Sequence, residues 1–202
     1  VEEPVLGAAC ARGNPGGLLD QAAKIADRFL NDGVIVATVG AGEGREEKRA
    51  TAPGTEPNYP LVVLVSGNSA SASEIVAGAL RNLDRALIVG ETTFGKGSVQ
   101  LVFPDVTAEH AALKLTIAQY LTPGDVSIQG VGVPPDIELD PMTVDKLEMD
   151  LFVQKEGPKE RDMHASLSNA KAQPIAKPEE IVRYQFTSEE REKYRDLGSD
   201  AE

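Results

Sequence analysis

Residues 61–65, Leu-Val-Val-Leu-Val, are an unbroken apolar run. A strand with no polar alternation must be covered on both faces, which is the condition of a parallel sheet rather than of a half-wetted antiparallel one. The run stops at a polar turn, residues 66–69. Residues 71–83 then follow, small and apolar, with Ile75, Val76, Ala79 and Leu80 on one helical face. Residues 86–89 make a second buried strand. Strand, helix and strand in this order form a βαβ unit, so the chain is α/β and its two strands lie parallel and close together.

The flanking segments extend this unit. Leu19, Ala22, Ile25, Ala26, Phe29 and Leu30 recur at i, i+3, i+4 spacing and predict an amphipathic helix closed by Gly33. Residues 34–39 are a strand candidate, and the polar, Gly-rich residues 41–58 read as a long loop. Residues 99–103 and 112–120 read as antiparallel strand partners. Charge then divides the chain near Asp140. Residues 141–202 hold 14 acidic and 10 basic residues, against 18 and 10 in the first 140. The expectation is a packed domain over 1–140 and a charged, mainly helical extension over 141–202, with helices at 144–152 and 179–197 and a loop at 157–177.

Composition excludes several kinds of activity. The net charge of −12 argues against a nucleic-acid partner, which needs a basic face for the phosphates. No run approaches ~18 consecutive apolar residues, so no membrane-spanning helix is expected. A single cysteine, Cys10, excludes an intrachain disulfide and a cysteine-rich zinc site, and reads as a small core residue. The two histidines, His110 and His164, have no partner at metal-ligand spacing and read as solvated, so neither a metal nor a cofactor is expected.

Chemistry is concentrated in Ser66-Gly-Asn-Ser-Ala-Ser-Ala-Ser-Glu74, where the buried strand turns into the helix. A hydroxyl there has two readings. Ser69 or Ser71 can cap the helix by accepting from exposed backbone N–H groups. Alternatively, those N–H groups and the helix dipole can stabilise an oxyanion beside a nucleophilic serine. A nucleophile needs a base. His110, the carboxylates and Lys96 are the candidates. Lys96 sits in Phe94-Gly95-Lys96-Gly97, after the second strand of the βαβ unit, so the two strand ends can bring it beside the serine turn. A free lysine titrates near ~10.4, and enclosure among apolar groups lowers that value. The stretch from Gly90 to Lys96 also matches the start of a phosphate-binding loop. However, Gly97 stands where Ser or Thr should bind magnesium, and a strand follows where a helix should.

Four ordered motifs carry a resemblance. They are Ser69-Ala-Ser-Ala-Ser-Glu74, then Gly90-Glu-x-Thr-Phe-Gly-Lys-Gly-Ser-Val-Gln100, then Leu113-Lys-Leu-Thr-x-Ala-x-Tyr-x-Thr-Pro123, then Ser127-Ile-Gln-Gly-x-Gly-x-x-Pro-Asp-Ile137. Together with Arg12-Gly-Asn-Pro-Gly-Gly17 they closely resemble the carboxy-terminal processing peptidases, or tail-specific proteases, of the S41 serine peptidases, over roughly residues 8–140. The resemblance implies a crotonase/ClpP-like βαβ core with a mixed sheet. It implies a Ser–Lys dyad, with Ser71 as nucleophile, Lys96 as general base and Gln100 orienting the lysine amine. Lys96 and Gln100 are an even number of residues apart, so on one strand they share a face. Backbone N–H groups of Gly17 and Ala72 would form the oxyanion site.

The resemblance also implies substrates with unstructured, apolar C-terminal tails, bound by β-augmentation, and an exported, typically periplasmic location. A homo-oligomer is compatible with it. Relatives carry Asp-Leu-Arg where this chain has Cys10-Ala11-Arg12. The PDZ domain and N-terminal segments of the family are expected to be missing from these residues, as in a processed chain or a fragment. Two alternatives accompany the peptidase reading. One is a peptide-binding module or inactive fragment that keeps the groove without turnover. The other is a different hydrolase of crotonase-like topology.

Overall fold

The computed structural model describes residues 6–40, 44–104, 112–144, 149–150, 158–163 and 178–186. His110, His164, most of the 157–177 segment and the C-terminal part of the expected 179–197 helix lie outside them.

The βαβ unit forms as its pattern predicts. Strand β4 (Leu61–Val65), helix α2 (Ala72–Asn82) and strand β5 (Leu87–Gly90) follow one another, and β4 pairs with β5 in parallel. Strand β1 (Gly7–Cys10) adds in parallel to the other edge of β4. Beyond β5 comes β9 (Ile137–Val144), also parallel. It pairs in turn with β10 (Met149–Asp150), antiparallel, and with β11 (Glu180–Phe186), parallel. A second, wholly antiparallel sheet has the order β3 (Arg45–Arg49), β2 (Val34–Gly40), β7 (Leu113–Thr122), β6 (Ser98–Phe103), with β8 (Val126–Ser127) on β7. The fold is mixed α/β, with parallel pairing concentrated in one sheet and antiparallel pairing in the other.

Helix α2 explains why residues 71–83 are small. It touches β5 of the first sheet and β2 and β7 of the second, and it also packs on α1 (Leu19–Asp27). Burial therefore nearly encircles it: Ala72, Ser73, Glu74, Ile75, Ala77, Gly78, Ala79 and Leu80 are all buried. A Cβ on Gly78 would stand 2.6 Å from Thr122 Cγ2, so glycine is what lets the helix approach β7. Ile35, Val36, Val63, Val65, Ile75, Leu80, Ile88 and Ile128 fill the core around it. Side chains of this size each gain roughly 1.5–3 kcal/mol on full burial.

The structure corrects four expectations. Within the predicted 41–58 loop, Arg45–Arg49 is a strand. It has no apolar face because, among the described residues, it pairs with β2 alone and its side chains meet water and ion partners, Lys48 on Asp20 and Arg45 on Asp125. The predicted helix at 179–197 is a strand over Glu180–Phe186, in register with β9 from Ile137 to Thr143. Val182, Tyr184 and Phe186 alternate with polar Arg183 and Gln185, a period of two that outweighs the charge-based helix reading. At 144–152, Val144 ends β9 and Met149–Asp150 is β10, so the helix expected there is absent at these described positions. Cys10 is exposed and not in the core, because it ends strand β1, which pairs with β4 alone among the described residues. Strand β9 also runs unbroken through Asp140 and Pro141.

Candidate active site

The turn between β4 and α2 singles out one of its serines. Ser69 is fully buried: its Oγ donates to the Ala11 carbonyl at 2.6 Å and accepts from Ser66 N–H at 3.0 Å. Ser73 is buried in the first turn of α2. Ser71 is half-buried and stands at the N-cap with φ +55° and ψ −118°. A serine at positive φ is strained by about 1–3 kcal/mol, and such strain persists only where the surroundings impose it. Here they do. Helix α2 fixes one side of the turn, and the Gly-rich loop 12–17 presses on the other.

That loop is tied to the serine turn by backbone and side-chain bonds. Ala70 N–H donates to the Asn14 carbonyl at 3.0 Å, and Gly13 N–H to Ser66 Oγ at 3.0 Å. Gly16 packs directly on the turn at φ +100°. A Cβ there would stand 2.6 Å from the Ala70 carbonyl oxygen, 2.7 Å from Ala72 N and 3.0 Å from Ser71 Cβ. Gly16 N–H is taken by Asn14 Oδ1 at 2.9 Å. Among the described residues, neither Gly17 N–H nor Ala72 N–H donates a hydrogen bond, and Ala72 opens helix α2.

Lys96 is half-buried in the irregular stretch 91–97, before β6 begins. One residue brings it to Ser71. The Glu74 carboxylate, with no solvent exposure, accepts at Oε2 from Ser71 N–H and from Lys96 N–H, each at 2.8 Å. Its Oε1 accepts from Gly95 N–H at 2.7 Å and from Thr93 Oγ1. Burial pushes the Glu74 pKa up. The bonds from Thr93, Gly95, Ser71 and Lys96 pull the other way. Phe94 N–H adds a further link by donating to the Ser69 carbonyl at 2.9 Å. Among the described residues, Ser71 Oγ and Lys96 Nζ do not hydrogen-bond to each other.

Lys96 and Gln100 do not lie on one regular strand. Lys96 precedes the strand, and a register shift between Val99 and Gln100 interrupts its alternation. Gln100 is exposed on β6.

Two contributors went unassigned in the sequence. Glu74 is the third residue after Ser71 at a helix N-terminus, the Ser-x-x-Glu spacing of a capping box, so a signal was present. Gln129, fully buried, accepts from Gly97 N–H at 2.9 Å and so holds the other side of Lys96. Its only sequence signal is its place in the Ser127-Ile-Gln-Gly motif.

Residues 11–139 match peptidase family S41. A carboxy-terminal-processing protease of Bartonella bacilliformis is 51% identical over 125 residues, which are 61% of this chain and 28% of that protein. The chloroplastic C-terminal processing peptidase of Tetradesmus obliquus is 39% identical over 130 residues, 64% of this chain and 28% of that protein. The solved photosystem II D1 C-terminal processing protease matches with TM-score 0.62 and 37% identity, over 67% of this chain and 34% of its own. A putative S41 protease of Bacteroides fragilis shares the fold, at TM-score 0.52 and 17% identity over 65% of this chain and 36% of its own. The matched region is thus under a third of the length of these curated relatives. With the family match running over residues 11–139, the chain belongs to peptidase family S41.

Proposed function

We propose that this chain carries the catalytic core of a carboxy-terminal-processing serine endopeptidase with a Ser71–Lys96 dyad. The observation that carries this reading is the shared Glu74 oxygen, which binds the N–H groups of Ser71 and Lys96 alike. Neutral Lys96 takes the Ser71 hydroxyl proton as Oγ attacks the scissile carbonyl. The resulting oxyanion is met by Gly17 and Ala72 N–H at the positive end of α2. Collapse breaks the C–N bond, and the lysine proton passes to the leaving amine. Water, deprotonated by Lys96, then releases the acyl group and restores Ser71. For Gln100, exposed on β6, a role in orienting the lysine amine rests on the family resemblance alone.

The substrates in this reading are proteins with unstructured, apolar C-terminal tails, met in an exported compartment. The core is of the crotonase/ClpP-like kind. The test is cleavage of a peptide with an apolar C-terminus by the intact protein. Ser71→Ala and Lys96→Ala should each lower kcat by about 10³-fold or more while leaving the circular dichroism spectrum unchanged. Undiminished cleavage by either variant defeats the reading. A second reading, a peptide-binding module without turnover, draws on the lack of a direct Ser71–Lys96 hydrogen bond. Catalytic hydrogen bonds are often long before substrate arrives and tighten afterwards. Binding of the same peptide without cleavage would support the module instead.

A further inference from the structure

The charged tail returns to the site. Residues 158–163 lie outside the stretch that matches the family and form a 3₁₀ turn, Glu160–Asp162, against residues 91–97. Lys159 Nζ donates to the Thr92 carbonyl at 2.6 Å and to the Thr93 carbonyl at 3.3 Å. Glu160 N–H donates to the Phe94 carbonyl at 3.2 Å. Two adjacent tail residues thus hold three successive carbonyls of the Lys96 loop. Glu160 Oε1 also accepts from Gln129 Nε2 at 3.3 Å, and Gln129 Oε1 takes Gly97 N–H. The tail therefore reaches the far side of Lys96 through one side chain. The turn is braced within itself by Lys159 N–H on Asp162 Oδ2 at 2.9 Å and Met163 N–H on the Glu160 carbonyl at 3.1 Å.

A loop with no strand or helix of its own has no ladder to satisfy its backbone groups, so every partner must come from elsewhere. On the inner side, Glu74 takes the N–H groups of Gly95 and Lys96. On the outer side, the carbonyls of Thr92, Thr93 and Phe94 face donors from the tail. The Lys159 ammonium makes the bonds to Thr92 and Thr93 charge-assisted, the stronger kind. We propose that residues 158–163 are a clamp that fixes the 91–97 loop, with Lys159 and Glu160 as positioning residues for Lys96. The catalytic part of this proposal rests on reading Lys96 as the general base.

The test compares the intact protein with Lys159→Ala/Glu160→Ala, with Lys159→Arg as the control that keeps a charged donor. Hydrogen exchange at the amides of Gly95, Lys96 and Gly97 should speed up about tenfold or more in the double variant, as local opening becomes easier, and stay near the parent rate in Lys159→Arg. For an apolar C-terminal peptide, kcat should fall about ten- to a hundredfold with KM unchanged, because misplacing a catalytic group acts on the chemical step. Unchanged exchange in the double variant overturns the clamp. Faster exchange with unchanged kcat overturns the positioning role. If the parent cleaves nothing, the peptidase reading fails, and the exchange rates alone decide whether the turn holds the loop.

Discussion

Ser71 and Lys96 are held in place by unlike means. Ser71 sits between regular elements, a buried strand before it and a helix after it, and the distant loop 12–17 braces the positive-φ turn that joins them. Lys96 lies in no regular element. Its loop is held by Glu74, 22 residues from Lys96, by Gln129, 32 residues from Gly97, and by Lys159, 67 residues from Thr92. Ser71 is therefore flanked by regular elements and braced by one distant loop, whereas the Lys96 loop depends on tertiary contacts alone.

Glu74 belongs to both sides, so its loss should erase the contrast. Glu74→Ala leaves four donors without their acceptor, three of them backbone N–H groups. It should destabilise the fold by about 4 kcal/mol in urea denaturation. A loss under about 1 kcal/mol would mean that the carboxylate does not tie the two segments together. Gly16→Ala should act on the serine side alone. The new Cβ meets the Ala70 carbonyl and Ala72 N at a φ that alanine resists, at a cost of about 2 kcal/mol. Phosphonylation of Ser71 by a fluorophosphonate, with loss of fluoride, should slow, with exchange at Gly95–Gly97 unaltered. Equal disturbance of both would dissolve the distinction.

Gln129→Leu should act on the lysine side alone. It removes the acceptor for Gly97 N–H and should cost about 1–2 kcal/mol, with faster exchange at Gly97 and an undisturbed serine turn. The smallest effect is on pH dependence. Because burial raises the Glu74 pKa, its contribution to stability is full below the ordinary glutamate range and is lost as pH rises through the raised value. Glu74→Gln lacks that loss. Its urea midpoint should therefore fall less than the parent's between acid and neutral pH, and parallel curves would contradict the assignment.

The same contrast governs what could be read from the sequence. Strand β4, helix α2 and strand β5 were legible because each is specified by its own residues, an apolar run or a helical spacing. The motifs marked the segments of Ser71 and Lys96 as candidates, and the structure joins these segments at Glu74. Strand β3 was hidden because a charged edge strand is held by backbone pairing and leaves no hydrophobic period. Strand β11 was hidden by its charges, although Val182, Tyr184 and Phe186 carried the alternation. The Lys96–Gln100 parity failed at a bulge, which no periodicity announces. The clamp at Lys159 and Glu160 joins residues too far apart in sequence for any local pattern to pair them.

The central claim, that Ser71 is the nucleophile and Lys96 its activating base, is most directly tested by covalent labelling. The intact protein is treated with a fluorophosphonate and the modified peptide is sequenced by mass spectrometry. The adduct should lie on Ser71 and on neither Ser69 nor Ser73, and Lys96→Ala should suppress it by about 10²-fold or more. An adduct on another serine, or labelling of Ser71 at the parent rate in Lys96→Ala, would contradict the account.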